Sequence, residues 1–317
     1  MLLRQYGAGG PPVSALAFGA MGIAFDSALR AGVSGSLLHA LDHGVSLIDT
    51  ARVYRDSEEI VARTLRAWRG ERPLISTKLA PANRDGFRFG GPIGDFYRKQ
   101  DIIRSVDQSL AALGTERLDI VHLHQWHYRW THELEWLETL TGLKSEGKIG
   151  LISVSGQDHE HDALLELVSR GLVDGIQIIV NLFESRPMNS LLPRAAECGV
   201  GVIARCVLDS GGLAGELTDA AFEGRPFLKH APAAEYRRRV AALARQFIPA
   251  SADSVADLAI RFVFSDPAVS TLTLGMSSPQ EVDAAIAAIE AGPLSADTVT
   301  AIRRDHVWTK NFYEALV

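Results

Sequence analysis

The chain has 317 residues, of which 47% are hydrophobic and 22% charged, a globular balance that fits two average domains or one large α/β domain. A net charge of −6 argues against nucleic acid as the partner, since phosphate contacts call for basic surfaces, and no apolar run nears the roughly 18 residues of a membrane helix. Two cysteines, Cys198 and Cys206, cannot build a disulfide framework; with no signal-peptide pattern at Met1 to Tyr6, a reduced cytoplasmic setting is expected.

Residues 2–6 and 12–14 flank Gly7-Ala8-Gly9-Gly10 and read as a β-hairpin, placed to cap the floor of whatever follows. Short apolar strands are then predicted at 15–19, 45–49, 73–78, 118–124, 149–154, 175–179, 200–204 and 271–274. Their continuous rather than alternating apolar character suits strands covered on both faces. Between them run amphipathic helices, such as the stripe Ile103, Val106, Leu110, Leu113 and the row Leu134, Leu137, Leu140, Leu143. Ser57 and Thr131 stand where N-caps belong. Gly44, Gly147, Gly171 and Gly199 fall just past helix ends, where a left-handed residue releases the chain into the next strand. Eight such βα units predict a single-domain (β/α)8 TIM barrel, with an extension from about Ser295. A doubly wound sheet is the competitor, but no Gly-x-Gly-x-x-Gly follows the first strand.

Polar residues stand at or just after successive strand ends: Asp49, Tyr54 five residues on, Lys78 and His124. A barrel gathers strand C-termini at one rim, so these four can converge. A phenol with a pKa near about 10 is a weak acid at neutral pH. An adjacent lysine ammonium lowers that value by favouring the phenolate, and an aspartate fixes the lysine. A histidine orients a substrate oxygen or relays a proton. The set suits protonation of an oxygen whose carbon gains a hydride, and offers no evident acyl-transfer nucleophile.

These motifs carry a resemblance. Val13 to Gly22, Asp49-Thr50-Ala51-x-x-Tyr54 with Ser57-Glu58, Thr77-Lys78 and Asp119 to His124 resemble the aldo-keto reductase superfamily over nearly the whole chain. The resemblance implies a catalytic tetrad of Asp49, Tyr54, Lys78 and His124, with Tyr54 as general acid. It implies NADPH, or NADH, as cofactor and a small carbonyl or alcohol substrate; no metal is expected, since no second ligand motif accompanies His122-x-His124. Cofactor contacts would come from Ala20, Met21, Asp49, Ser155, Gln177, Arg205, Cys206, Val207, Leu208, Ser210, Gly212, Gly275, Met276, Ser277, Gln280 and Glu281. Ser155 and Gln177 would hold the nicotinamide carboxamide, and the segment from Gly275 to Glu281 the adenosine end. The sequence departs from the family's habit at Gly156 in place of Asn, Arg205 in place of an aromatic, Ser277 in place of Lys or Arg, and Ala285 in place of Asn.

Substrate contacts are expected from Tyr54, His124, Trp126 and Tyr128, with Trp308, Phe312 and Tyr313 folding over the same pocket; a sugar or a ring-bearing ketone suits such aromatic walls. Arg84, Arg88, Arg98 and Arg129 read as solvated cations or as partners of an anionic substrate. Cys198 and Cys206 read as packing residues. Two other classes compete with the oxidoreductase: a nucleotide-binding regulatory subunit on the same fold, and a metal-dependent hydrolase built on His122-x-His124. Against the latter, His122 reads as a satisfied interior histidine.

Overall fold

Strands this short and this apolar need cover on both faces, and each finds it by pairing in parallel with the next and packing under helices. A computed structural model of the chain describes residues 1–24, 27–83, 91–215, 217–225, 228 and 231–308, and for 23, 24 and 27–31 the backbone alone. The hairpin is β1 (Leu3–Gln5) and β2 (Pro12–Ser14), antiparallel, with Arg4 opposite Val13. Eight parallel strands follow: β3 (Leu16–Gly19), β4 (Leu47–Asp49), β5 (Leu74–Leu79), β6 (Leu118–Leu123), β7 (Ile149–Ser155), β8 (Gly175–Ile179), β9 (Gly201–Arg205) and β10 (Thr271–Leu274). They close as a barrel in the order β10-β3-β4-β5-β6-β7-β8-β9, the (β/α)8 architecture that the sequence predicts.

Helices α1 (Ser27–Asp42), α2 (Ser57–Leu65), α3 (Lys99–Leu113), α4 (Glu135–Ser145), α5 (Leu165–Ser169) and α6 (Leu191–Glu197) follow their strands in turn. After β9 come α7 (Asp219–Glu223), α8 (Ala233–Phe247) and α9 (Val255–Phe264), and after β10 come α10 (Pro279–Glu290) and α11 (Ala296–Asp305). Gly44 and Gly147 have φ of 85° and 80°, the left-handed release expected of them. None of the described helices is long and apolar enough to cross a membrane.

The hairpin closes the barrel's N-terminal end. Tyr6 is fully buried among Val13, Ala17, Leu47, Ile120 and Ile203. A Cβ at Gly175 would lie 2.1 Å from the Tyr6 hydroxyl, and one at Gly201 2.6 Å from its ring. Glycine at the starts of β8 and β9 is therefore what lets the tyrosine plug the floor. Chemistry is left to the opposite rim.

Three local expectations fail. Ser57 caps nothing: its hydroxyl pairs with Thr50 Oγ1 at 2.8 Å and donates to Ala20 O at 3.2 Å, and α2 is preceded by Asp56. Thr131 lies inside the 3-10 turn Tyr128–His132, while Leu134 precedes α4. On α3, Val106 and Leu113 are buried as expected, but Ile102 is buried in place of Ile103, and Ile103 and Leu110 are only partly covered.

Candidate active site

β4 ends on Asp49, and β5 presents Lys78 beside it in register, Asp49 lying opposite Ser76 two residues earlier. Residues two apart on a strand face the same side, so Ser76 and Lys78 both reach the carboxylate. Lys78 Nζ donates to Asp49 Oδ2 at 2.6 Å and to Thr50 O at 3.0 Å. Ser76 Oγ donates to Asp49 Oδ1 at 2.8 Å, and Gln177 Nε2 donates to the same oxygen at 2.9 Å. Both partners of the ion pair are buried. Each charge is thus matched by hydrogen bonds, the condition under which a buried pair persists.

Ser76 has one hydroxyl proton, and Asp49 takes it. His122 Nε2, 2.9 Å from Ser76 Oγ, must therefore donate. A relay results: His122 to Ser76 to Asp49. Burial, reinforced by repulsion from Lys78, pushes His122 down to about 3, so the ring is neutral at ordinary pH. It is fully enclosed, as the sequence reading expects, with Nε2 engaged by Ser76 and Nδ1 buried without a hydrogen-bond partner.

The loop after β4 carries Tyr54 into this group. Its backbone is held by Arg52 N donating to Lys78 O at 3.2 Å and by Tyr54 N donating to Ala51 O at 3.0 Å. Beneath it Glu58, buried at the start of α2, accepts from Thr77 Oγ1 at 2.7 Å and pairs with Arg52. Lys78 Nζ lies 5.3 Å from the centroid of the Tyr54 ring, and the His124 ring meets Tyr54 edge-on with centroids 5.7 Å apart. All four predicted tetrad residues converge. The Tyr54 phenol is nonetheless raised above its ordinary value: burial dominates, and Lys78 only partly pulls it back. The lowering expected from the lysine alone is overridden because the phenolate would lose more hydration than the ammonium restores.

His124 follows β6 directly, its N–H donating to Leu79 O at 3.3 Å. The next residue is clamped by Tyr97, whose hydroxyl donates to Gln125 O at 3.3 Å and accepts from Gln125 N at 3.0 Å. Sequence reasoning passes over Ser76, readable from its two-residue spacing to Lys78, and places Tyr97 in an aromatic connection over the rim without giving it this role.

On the far side of the rim, Ser155 at the end of β7 pairs in register with Gln177 of β8, and both are buried. Gln177 Oε1 is buried without a protein partner, as is Arg205 Nε at the end of β9. Arg205 donates to Gly156 O at 3.0 Å and to Asp158 Oδ1 at 2.6 Å. A Cβ at Gly156, where the resemblance expects asparagine, would meet Ile178 Cδ1 at 2.7 Å and Leu164 Cδ1 at 2.9 Å, so those side-chain ends would have to shift to admit one. After β9 the backbone turns sharply, with φ of 52° at Cys206, 46° at Asp209 and 57° at Ser210. Burial raises the Cys206 thiol, as befits an inert packing residue.

Several expected contact residues are placed differently. Trp126 is fully buried, its ring edge-on to Trp130 and Trp136 and its indole N–H donating to Ala163 O at 3.2 Å, so it fills the layer behind the rim instead of walling a pocket. Val207 and Met276 turn their side chains into the core, leaving only backbone for a ligand. A Cβ on Gly212 would sit 2.2 Å from the Tyr236 hydroxyl, which binds Asp209. Ala20 has both backbone groups engaged, by Asp49 O at 2.8 Å and by Ser57 Oγ at 3.2 Å. Met21, Gly275, Gln280, Glu281 and Tyr128 are exposed, and Leu208 half-buried. Ala285, where the resemblance expects Asn, is buried. Trp308 packs on Phe183 and Tyr236. Arg98 donates to Gly94 O at 3.0 Å and Arg129 pairs with Glu133 at 2.7 Å. Arg84, Arg88, Phe312 and Tyr313 lie outside the described residues.

At the start of α10, Ser278 caps the helix, and Ser277 donates through N–H and Oγ to Glu281 Oε2 at 2.6 and 2.9 Å. This end of the rim therefore presents a carboxylate where the resemblance expects a cation.

Residues 15–305 match the profile of the aldo/keto reductase family. An aldo-keto reductase of Bacillus subtilis, YhdN, is 29% identical over 261 residues, covering 77% of this chain and 75% of that protein. The L-galactose dehydrogenase of Arabidopsis thaliana is 26% identical over 297 residues, covering 90% and 88%. The solved holo form of an aldo-keto reductase from Bacillus halodurans superposes with a TM-score of 0.76, at 26% identity and with 96% of each chain covered.

Proposed function

The chain belongs to the aldo/keto reductase family and is an NAD(P)-dependent oxidoreductase, and on that premise we propose that it works as one domain to interconvert a small-molecule carbonyl and its alcohol, with Tyr54 as the general acid and base. The observation that carries this reading is the Lys78–Asp49 pair at 2.6 Å, with the Tyr54 ring 5.3 Å from the ammonium and the His124 ring against that tyrosine.

The rim residues fit a nicotinamide coenzyme. Gln177 is oriented by Asp49 so that its Oε1 remains a buried acceptor without a protein partner, suited to a carboxamide N–H. Ser155 beside it in register supplies a hydroxyl, and Arg205 a planar cation with a spare Nε–H. A Cβ at Gly275 would meet nothing nearer than Gly19 O at 3.8 Å, so backbone is open to a ligand there. NADP(H) is the proposed coenzyme. When bound, its reduced nicotinamide supplies the hydride.

The protein's own part is to position and to move one proton. In reduction Tyr54 gives its hydroxyl proton to the carbonyl oxygen as the carbon gains the hydride. A phenol raised by burial is fully protonated at neutral pH, as an acid must be. Once the proton has left, the Lys78 ammonium stabilises the phenolate, and Asp49, fixed by Ser76 and Gln177, keeps that ammonium in place. His124, facing Tyr54 edge-on, orients the substrate oxygen. In oxidation the same groups run in reverse. A sugar or a ring-bearing ketone is the proposed substrate class, supported by the dehydrogenase relative that acts on L-galactose and by exposed Tyr128 near the rim loop.

The test is the coenzyme-dependent absorbance change of reduced nicotinamide across a panel of aldoses, cyclic ketones and short aldehydes, with coenzyme binding followed in parallel by protein fluorescence. Turnover of the cyclic substrates with tight coenzyme binding is expected. Coenzyme binding without turnover of any panel member would refute the catalytic reading.

A further inference from the structure

Outside the rim, α1 and α10 pack side by side, and Ser36 Oγ of α1 donates to Met276 O just before α10 at 2.9 Å. Ser36, His39 and His43 recur at helical spacing on this seam. His39 Nε2 lies 2.7 Å from Asp283 Oδ1 of α10, and the His39 and His43 rings have centroids 4.2 Å apart. One ring nitrogen of each histidine and a carboxylate oxygen of Asp283 all lie within 4.8 Å of one another.

We infer that His39, His43 and Asp283 form a binding site for a divalent transition metal of the zinc class, bridging α1 to α10. Two imidazoles and a carboxylate are a donor set for such an ion, with solvent in the fourth position. A second observation points the same way. His43 Nδ1 is 2.8 Å from His39 O. A carbonyl oxygen accepts only, so Nδ1 carries the hydrogen and Nε2 the lone pair. A backbone carbonyl holding the far nitrogen is the usual support of a metal-ligating histidine.

Donors at about 2.0–2.1 Å from one tetrahedral ion stand roughly 3.4 Å apart, against a present spacing within 4.8 Å. The ion takes the place of the hydrogen on His39 Nε2. In the neutral ring that hydrogen shifts to Nδ1; from a protonated ring it passes to solvent. The sequence reading weighed only His122-x-His124 as a metal motif, because Asp283 is 244 residues from His39 and meets it through packing alone.

The test uses untagged full-length protein stripped with chelator, titrated with Zn²⁺ alone by calorimetry and followed by thermal unfolding. One ion per chain and a rise in Tm are expected, since a ligand that binds only the folded state stabilises it. His43→Ala and Asp283→Asn, both at exposed positions, should leave the metal-free Tm unchanged. Each should weaken Zn²⁺ binding at least tenfold and remove the rise in Tm. Absence of binding by the parent protein, or a loss of less than tenfold in either variant, overturns the proposal.

Discussion

Gln177 and Asp49, 128 residues apart in the chain, meet at the barrel mouth, where Gln177 Nε2 donates to Asp49 Oδ1 at 2.9 Å. That one bond ties the end of the rim proposed for the coenzyme to the carboxylate that seats Lys78. It also settles which way the amide faces, leaving Oε1 as a buried acceptor without a protein partner. Gln177→Met keeps the volume and removes the acceptor. Coenzyme Kd, read by fluorescence titration, should rise by roughly tenfold, which is about 1.4 kcal/mol. An unchanged Kd would remove Gln177 from the coenzyme site.

Tyr54→Phe deletes the transferable proton and little else. The Lys78–Asp49 pair does not depend on the hydroxyl, so folding and coenzyme affinity should be retained. Turnover should fall by roughly 10²–10⁴, the usual contribution of a positioned acid. Single-turnover kinetics on the purified variant check this, and normal rates would mean that another group supplies the proton.

Lys78→Met is expected to harm stability as well as chemistry. It strands the buried Asp49 carboxylate with Ser76 and Gln177 as its remaining partners, and breaking one half of a buried pair costs about 3–5 kcal/mol. Asp49→Asn combined with Lys78→Met should recover part of that loss while remaining inactive. Urea denaturation of the two variants measures the difference. A double variant no more stable than the single one would show that the pair is not coupled.

Acid should destabilise the protein through His122. Its folded value is depressed to about 3 by burial and by Lys78, against about 6.5 in an unfolded chain. Between those values the unfolded state binds the proton that the folded state refuses, so stability is complete above pH 6.5 and falls as pH drops toward 3. The slope is at most about 1.4 kcal/mol per pH unit, or about 2 kcal/mol between pH 6.5 and 5. His122→Gln can still donate to Ser76 but does not titrate. It should lose this part of the pH dependence in denaturation curves at pH 7 and 5, and parallel behaviour of the two proteins would contradict it.

How much of this was legible follows from the range of each interaction. The barrel was readable because each βα unit repeats one local pattern, and Asp49, Lys78 and His124 were readable because each stands at or next to a strand end. Trp126 was misread because aromatic content alone does not separate a pocket wall from filling behind it; only its contacts with Trp130 and Trp136 do. The cap expected at Ser57 failed because its hydroxyl is taken by Thr50 and Ala20. Likewise the sign of the Tyr54 shift depends on how deeply the ring is enclosed. Sequence showed which polar groups the strand ends could bring together, but not the solvent they lose on folding.

Coenzyme preference is expected to depend on the start of α10. Ser277 N–H and Oγ are both occupied by Glu281 Oε2, at 2.6 and 2.9 Å. The resemblance gives this position to a cation that meets a 2′-phosphate, and a carboxylate there repels that phosphate while competing with it for the same donors. Glu281→Gln removes the charge and leaves the helix cap at Ser278 in place. NADPH should then bind roughly tenfold tighter, about 1.4 kcal/mol, with NADH little changed, because only the former carries the extra phosphate. The NADPH gain should shrink at high salt, as a partly exposed electrostatic effect must. Equal changes for both coenzymes would show that Glu281 acts through loop structure and not through charge.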